Sequence, residues 1–328
     1  MHFAIIGQGL AGSSLAIYAH KHGHKITCFD LEKKNSASRV STGIVNPLVL
    51  KNRTALFKSK KLLDHCKDYY DSVEKLLGKP FLINNPIHEI LKTDHEIDNW
   101  KILSKKINIK EYIGSIENIH HQIDGKGFGI VQNSLRLDVK KYLTCVRDWL
   151  HETQYIFNEK VDNVSILKNK IHVNNQLFDG LLLAEGLDAK WTQKNFGELQ
   201  FAPTKGEGIV IQVNSIDVNF PIHRNVFMIQ EDKNIYTVAS TFDRNDLSVS
   251  PSINGRTTLL KHLKSWFKDD FKVLDHWAGI RPTMTDRKIC YGWHRDNPNV
   301  GYLNGLGSRG VLTSPYYSSL LWGQHKSS

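Results

Sequence analysis

His2-Phe3-Ala4-Ile5-Ile6-Gly7-Gln8-Gly9-Leu10-Ala11-Gly12 opens the chain and decides its fold. The first five residues are almost wholly apolar, which predicts a strand buried on both faces, as at the centre of a parallel sheet. Three glycines at GxGxxG spacing follow at once. Gly7 permits a tight turn out of the strand, Gly9 lets a pyrophosphate approach bare backbone, and Gly12 lets the next helix pack closely on the sheet. The spacing of Leu15, Ala16 and Ala19 predicts a helix over Ser13 to Lys21, ended by the φ > 0 position that Gly23 supplies. The N-terminus of that helix, with Leu10 and Ala11 in its turn, offers unpaired N–H groups and a partial positive charge to an anion. Lys25 to Phe29 predicts a second strand. Asp30 lies 18 residues after Gly12, near the ~20 expected of the acid that hydrogen-bonds a ribose diol. A lone GxGxxG is as well explained by an ordinary loop or by glycines placed for packing. Strand, turn, helix, strand and acid in this order mark a dinucleotide site.

The rest of the composition narrows the class. Of 328 residues 40% are hydrophobic and 23% charged, which excludes a disordered chain and allows one large domain or two. Lys and Arg number 43 against 33 acids, a formal charge of +10. That surplus draws anions, whether small acids or nucleic acid, and says nothing of fold. Cys28, Cys66, Cys145 and Cys290 are far apart, with no CxxC pair, which argues against a disulfide framework or a zinc site and fits a reducing cytoplasm. No apolar run approaches the ~20 residues of a membrane span. With a strand beginning at residue 2, no secretory signal is expected, and the predicted location is cytoplasmic. His20, His22 and His24 read as imidazoles suited to a helix C-terminus rather than as metal ligands, so no metal is predicted.

The glycine turn alone does not separate NAD from FAD, but two later segments bear on the choice. Ala37-Ser38-Arg39-Val40-Ser41-Thr42-Gly43-Ile44-Val45-Asn46-Pro47 offers hydroxyl and backbone donors to a phosphate or a ring, with Ser38, Ser41, Thr42 and Gly43 as candidates. A polar surface loop accounts for this segment equally well. Near the C-terminus, Asn304-Gly305-Leu306-Gly307-Ser308-Arg309-Gly310 forms a second glycine turn. Val311 to Trp322 then reads as a helix, in which Pro315 is tolerable only near the first turn. Such a helix N-terminus could aim its dipole at a flavin's pyrimidine edge.

Taken in order along the chain, these islands resemble the FAD-dependent D-amino-acid oxidase superfamily. That superfamily includes glycine oxidase, sarcosine oxidase and the oxidase domain of the bifunctional tRNA wobble-uridine modification enzyme. The islands are Gly7–Gly12 with Asp30, Ser38–Pro47, Phe178–Gly186, Gly279-Ile280-Arg281-Pro282 and Gly305–Gly310, the last especially similar to the tRNA-modifying branch. The resemblance implies an α/β fold, a Rossmann-like FAD-binding domain with a second, mainly antiparallel-sheet substrate domain. It implies a discontinuous FAD domain from roughly 1–78, 137–201 and 277–328, with 79–136 and 202–276 forming the substrate domain. It also implies that the backbone of Val161 meets the adenine and that the strand ending at Gly186 closes the FAD domain. Gly305, Gly307, Ser308, Arg309, Gly310 and Val311 would face the flavin.

Arg281 falls where related amino-acid oxidases grip the substrate carboxylate, a task suited to the planar guanidinium fork. The competing reading is a structural ion pair. Arg309 is a second candidate for contact with flavin or substrate, a solvent-facing role being the alternative; Tyr236 and His223 are candidates for the pocket lining. One departure is Asp286-Arg287-Lys288-Ile289-Cys290, where relatives often carry Asp-Gly-Leu-Pro. Cys290 does not match the cysteine of covalent flavin attachment in sarcosine oxidases, so FAD is expected to be non-covalent. The resemblance thus predicts C–N bond oxidation of a small amino acid or N-substituted glycine by hydride transfer to flavin N5. Two alternatives remain: oxidation of the carboxymethylaminomethyl group of a tRNA wobble uridine, and a non-catalytic flavoprotein. The +10 charge favours RNA, but Lys58, Lys60, Lys61, Lys105, Lys106, Lys140 and Lys141 are scattered, as solvated faces would be. The electron acceptor is not legible.

Overall fold

The computed structural model describes residues 1–167 and 170–325. Its helices are α1 (Leu10–Lys21), α2 (Ser59–Leu77), α3 (Asp94–Leu103), α4 (Val139–Thr153), α5 (Lys190–Phe196), α6 (Ile253–Lys264) and α7 (Gly310–Gln324). Two sheets carry the fold. The first has the strand order Tyr155–Phe157, Lys25–Phe29, His2–Ile6, Gly180–Leu183, Val300–Asn304, Cys290–Trp293. All its pairings are parallel except the last. Strand order reverses beside His2–Ile6, so the carboxyl end of that strand, at Gly7, opens the crevice in which open α/β sheets bind ligands.

The second sheet has eight strands and is antiparallel apart from the Ile87–Leu91 and Ile222–Arg224 pair. Three of them adjoin at one side: Lys272–Arg281, Thr204–Gln212 and Ile235–Ala239. Thr204–Gln212 is longer than the apolar run Gly208–Val213 suggests, because Lys205 and Glu207 are buried in it as charges. The boundary expected at 277 falls inside the continuous strand Lys272–Arg281.

Helix α1 begins at Leu10, three residues before the sequence pattern indicates. Nine of its residues are buried, on every side, because it lies between the first sheet and other helices. Its small residues permit close approach to α7, where Ser14 Oγ and Ser318 Oγ lie 2.8 Å apart. Pro315 stands in the second turn of α7, deeper than expected. A proline there removes the N–H that would satisfy the carbonyl of Val311. Two residues on the apolar face of α2 take its place: the Tyr70 hydroxyl donates to that carbonyl at 3.1 Å and the Cys66 thiol at 3.6 Å.

His22 and His24 stack on Trp322, with ring centroids 5.4 and 5.3 Å apart. Among the described residues no group of three or more His, Cys, Asp or Glu is arranged to hold a metal. No described helix is long and apolar enough to cross a membrane.

Candidate functional site

One cavity of about 1140 Å³ runs between the two sheets. One wall is the carboxyl edge of the parallel sheet, where Gly7, Gly9, Leu10 and Ala11 face the space. No side chain caps the N-terminus of α1 from within, and no acid stands in its first turn. The Oγ of Ser38 instead reaches across and accepts the Leu10 N–H at 3.0 Å. A Cβ on Gly9 would stand 2.8 Å from that Oγ, so a side chain here would push the Ser38 hydroxyl off the Leu10 N–H. Gly12 lies behind the wall rather than on it: its Cβ would fall 1.7 Å from the carbonyl oxygen of Gly7.

Asp30 also lines the cavity. Its carboxylate accepts the Gln8 N–H at 2.9 Å and the Glu32 N–H at 2.7 Å. Arg147 Nη1 approaches the same group at 3.4 Å and its Nε approaches Glu32 at 3.4 Å. Arg147 is buried, reaching in from α4. It was absent from the sequence candidates, though a signal existed: it interrupts the apolar stripe Leu143, Val146, Leu150. Val161 lines the cavity near this end, and its carbonyl accepts the Trp191 indole N–H at 3.3 Å.

Ser41, Thr42, Gly186, Gly307, Ser308, Arg309 and Gly310 all reach the cavity. Gly43, Gly305 and Val311 do not. Gly43 packs on the carbonyl of Leu137 at a φ of +77, Gly305 packs on Met284 at a φ of +75, and Val311 is buried beneath α2. The N-terminus of α7 therefore opens on the same space as that of α1, again without a side-chain cap or a first-turn acid. Glu185, a lining residue that the sequence did not single out, accepts from Trp191 N, Thr192 N and Thr192 Oγ1 at the start of α5. Burial raises its pKa against those hydrogen bonds.

The opposite wall comes from the second sheet. Arg281 enters the cavity at the end of strand Lys272–Arg281. Its Nη1 donates to the Lys205 carbonyl at 3.2 Å, and its Nη2 to Ser240 Oγ at 2.9 Å and the Thr241 carbonyl at 3.2 Å. Gly206 makes room for it, since a Cβ there would sit 2.1 Å from Nη2. Partial burial lowers the guanidinium pKa to about 10, and no carboxylate among the described residues opposes the shift. Arg309 lines the cavity but is itself largely exposed; the desolvation it does experience shifts its pKa down, and no charged partner among the described residues counters this. His223 lines the cavity with its Nδ1 on Glu89, whereas Tyr236 lies in the core behind the sheet, bonded to the backbone at 216 and 218. Cys290 does not line the cavity; burial pushes its thiol up to about 11. The lysines at 58, 60, 61, 105, 106, 140 and 141 are exposed and lie outside it.

A Rossmann-like sheet facing an antiparallel sheet across one deep cavity, onto which the N-termini of α1 and α7 open, defines a dinucleotide-binding protein. The cavity exceeds the ~300–1,000 Å³ typical of small-ligand pockets. Its bare backbone at Gly7–Ala11 and acid at Asp30 fit the pyrophosphate and ribose of FAD. The chain belongs to the DAO family of FAD dependent oxidoreductases, whose model matches residues 2–321, and FAD is its cofactor.

Glycine oxidase of Bacillus subtilis (strain 168) is 25% identical over 124 residues, 37% of this chain and 34% of that protein. Glycine oxidase of Bacillus licheniformis is 24% identical over 41% of this chain and 37% of its own length. The matched segments thus span about a third of these relatives' length. Iminodiacetate oxidase from Chelativorans sp. BNC1 superposes with a TM-score of 0.80 at 16% identity, covering 98% of this chain and 94% of that one. L-alpha-glycerophosphate oxidase from Mycoplasma pneumoniae, solved with FAD bound, gives 0.71 at 14% identity over 97% and 92%. At these identities the structural likeness speaks for the fold.

Proposed function

We infer that this oxidoreductase acts on the C–N bond of a small amino acid or N-substituted glycine. One observation carries the reading: Arg281 is a half-buried cation facing the cavity, without an acidic partner among the described residues. Even a partly desolvated charge without a counter-charge favours a ligand of opposite sign that completes it. Hydrogen bonds from Arg281 to two carbonyls and a hydroxyl hold its fork in place before substrate arrives, which lowers the ordering cost of binding. A substrate carboxylate is the ligand that best matches that fork.

When bound, FAD would supply the two-electron acceptor for the hydride of the substrate α-C–H bond. Arg281 orients the substrate so that its amine and α-carbon point away from the guanidinium and into the cavity. The substrate nitrogen must be neutral for its lone pair to form the C=N bond as the C–H bond breaks. Water then adds to the imine, giving a carbonyl compound and the free amine. No strong general base is needed, and positioning is the main contribution of the chain. Gly7, Gly9, Leu10, Ala11, Asp30, Ser38, Ser41, Thr42 and Val161 hold the adenine dinucleotide half. Gly186, Gly307, Ser308, Arg309 and Gly310 hold the flavin half, and Gly12, Gly43, Gly305 and Val311 support them from behind. The FAD domain comprises roughly 1–78, 137–201 and the chain from about 282 onward, after strand Lys272–Arg281, of which 326–328 lie outside the described residues, and the remainder forms the substrate domain.

Anaerobic addition of glycine, sarcosine and longer amino acids to the holoprotein tests the reading. Loss of the flavin's visible absorbance with at least one of them is expected. Retained colour with all of them, together with bleaching by undermodified tRNA in a salt-sensitive manner, would transfer the activity to the wobble uridine.

A further inference from the structure

The wall beside Arg281 carries a second device, formed by the loop between strand Ile235–Ala239 and α6. Phe242, Leu247 and Val249 line the cavity from this loop, and they are 70%, 46% and 51% exposed. The Phe242 ring lies 4.3 Å from the Arg281 guanidinium carbon and covers one face of it. Left free, three large apolar side chains would collapse together or turn inward. A buried charge prevents this. Lys205 is fully buried, and its ammonium donates to Asp246 Oδ2 at 2.5 Å, Ser248 Oγ at 3.1 Å and the Ser250 carbonyl at 2.6 Å. Its backbone pairs with Asp243 at 2.7 and 3.0 Å.

Glu207, two residues along the same strand and also buried, accepts the Ser252 N–H at 2.8 Å and its hydroxyl at 2.7 Å. Both ends of the loop are therefore tied to the strand whose Lys205 carbonyl steadies Arg281. A buried ammonium is stable only with its full set of acceptors, and this set specifies one position of the loop.

We propose that Phe242, Leu247 and Val249 form an apolar subsite next to Arg281, with Lys205 as the residue that positions it. The substrate class is then an amino acid whose carboxylate sits on Arg281 and whose side chain or N-substituent is apolar, in preference to unsubstituted glycine. This rests on the reading of Arg281 as the carboxylate anchor.

The test uses straight-chain carboxylates from acetate to hexanoate, titrated into the holoprotein and followed by the change they cause in flavin absorbance. Kd is expected to fall about fourfold for each added methylene that the subsite buries. The paired change Leu247→Ser and Val249→Ser should flatten that dependence while acetate binds as before. Asp246→Asn, at the exposed end of the tether, should make it shallower. Equal affinity for acetate and hexanoate overturns the subsite and leaves the anchor standing. A slope that survives in the paired variant overturns the assignment of these residues. Failure of every carboxylate to bind overturns anchor and subsite together.

Discussion

Along the parallel sheet the cavity wall is mostly backbone: the turn Gly7–Ala11, the loop at Ser38–Thr42 and the start of α7 present N–H groups and glycine surfaces. Across from it the wall is side chain: Arg281, Phe242, His223 and Leu247, drawn from separate stretches of the second sheet and its loops. A backbone wall recognises the constant part of a ligand, phosphates and a ring edge, and it needs particular residues mainly where a Cβ would intrude. A side-chain wall recognises what varies, and its members need be neighbours only in space. The two walls should therefore fail differently when altered.

The sharpest break is expected at Gly12→Ala, whose methyl would overlap the Gly7 carbonyl. The overpacking should reach or exceed the top of the usual ~1–3 kcal/mol range. Thermal unfolding should shift down and the purified protein should lose its flavin. Next in size is Arg281→Met. Removing a charged fork worth about 2–3 kcal/mol should lower kcat/KM about 100-fold while FAD content stays at one per chain. A variant that lost flavin as well would erase the distinction between the walls.

Asp30→Ala belongs to the backbone side and should weaken FAD about tenfold or more, the loss of a charged hydrogen bond, as read by equilibrium dialysis. Carboxylate affinity should also depend on pH through Arg281. Its pKa is lowered to about 10, so the cation is present below that value and disappears above it. Kd for a non-titrating carboxylate should rise about tenfold by pH 11 and be flat between 7 and 9. The smallest effect is Tyr70→Phe, which strips a donor from the Val311 carbonyl under Pro315. A stability loss of about 1 kcal/mol is expected, with the Arg281 side unchanged.

The same contrast explains what could be read from the chain. The first wall was legible because GxGxxG, the acid at Asp30 and the turn at Gly305–Gly310 are contiguous, and each residue type has a steric task in its own turn. Of the residues expected at the cofactor, Gly12, Gly43, Gly305 and Val311 do not line the cavity. Spacing marks a turn as a unit but does not say which of its glycines faces the ligand and which packs on a neighbouring carbonyl. The second wall was legible only at Arg281, through its Gly-Ile-Arg-Pro surroundings. Lys205 and Glu207 sit in the short run Thr-Lys-Gly-Glu-Gly, where charges suggest a surface loop; the sheet buries them because the loop at 243–252 brings their partners. Tyr236 looked like a pocket residue by its strand, but strand alternation places it on the core face, with its hydroxyl on the backbone at 216.

The measurement that bears most directly on the account compares an amino acid with its own amide as anaerobic reductant of the bound flavin, in the wild type and in Arg281→Met. The acid should bleach the wild-type flavin at much lower concentration than the amide, and the variant should treat the two alike. Equal reduction by acid and amide in the wild type would contradict the claim that Arg281 selects the substrate by its carboxylate.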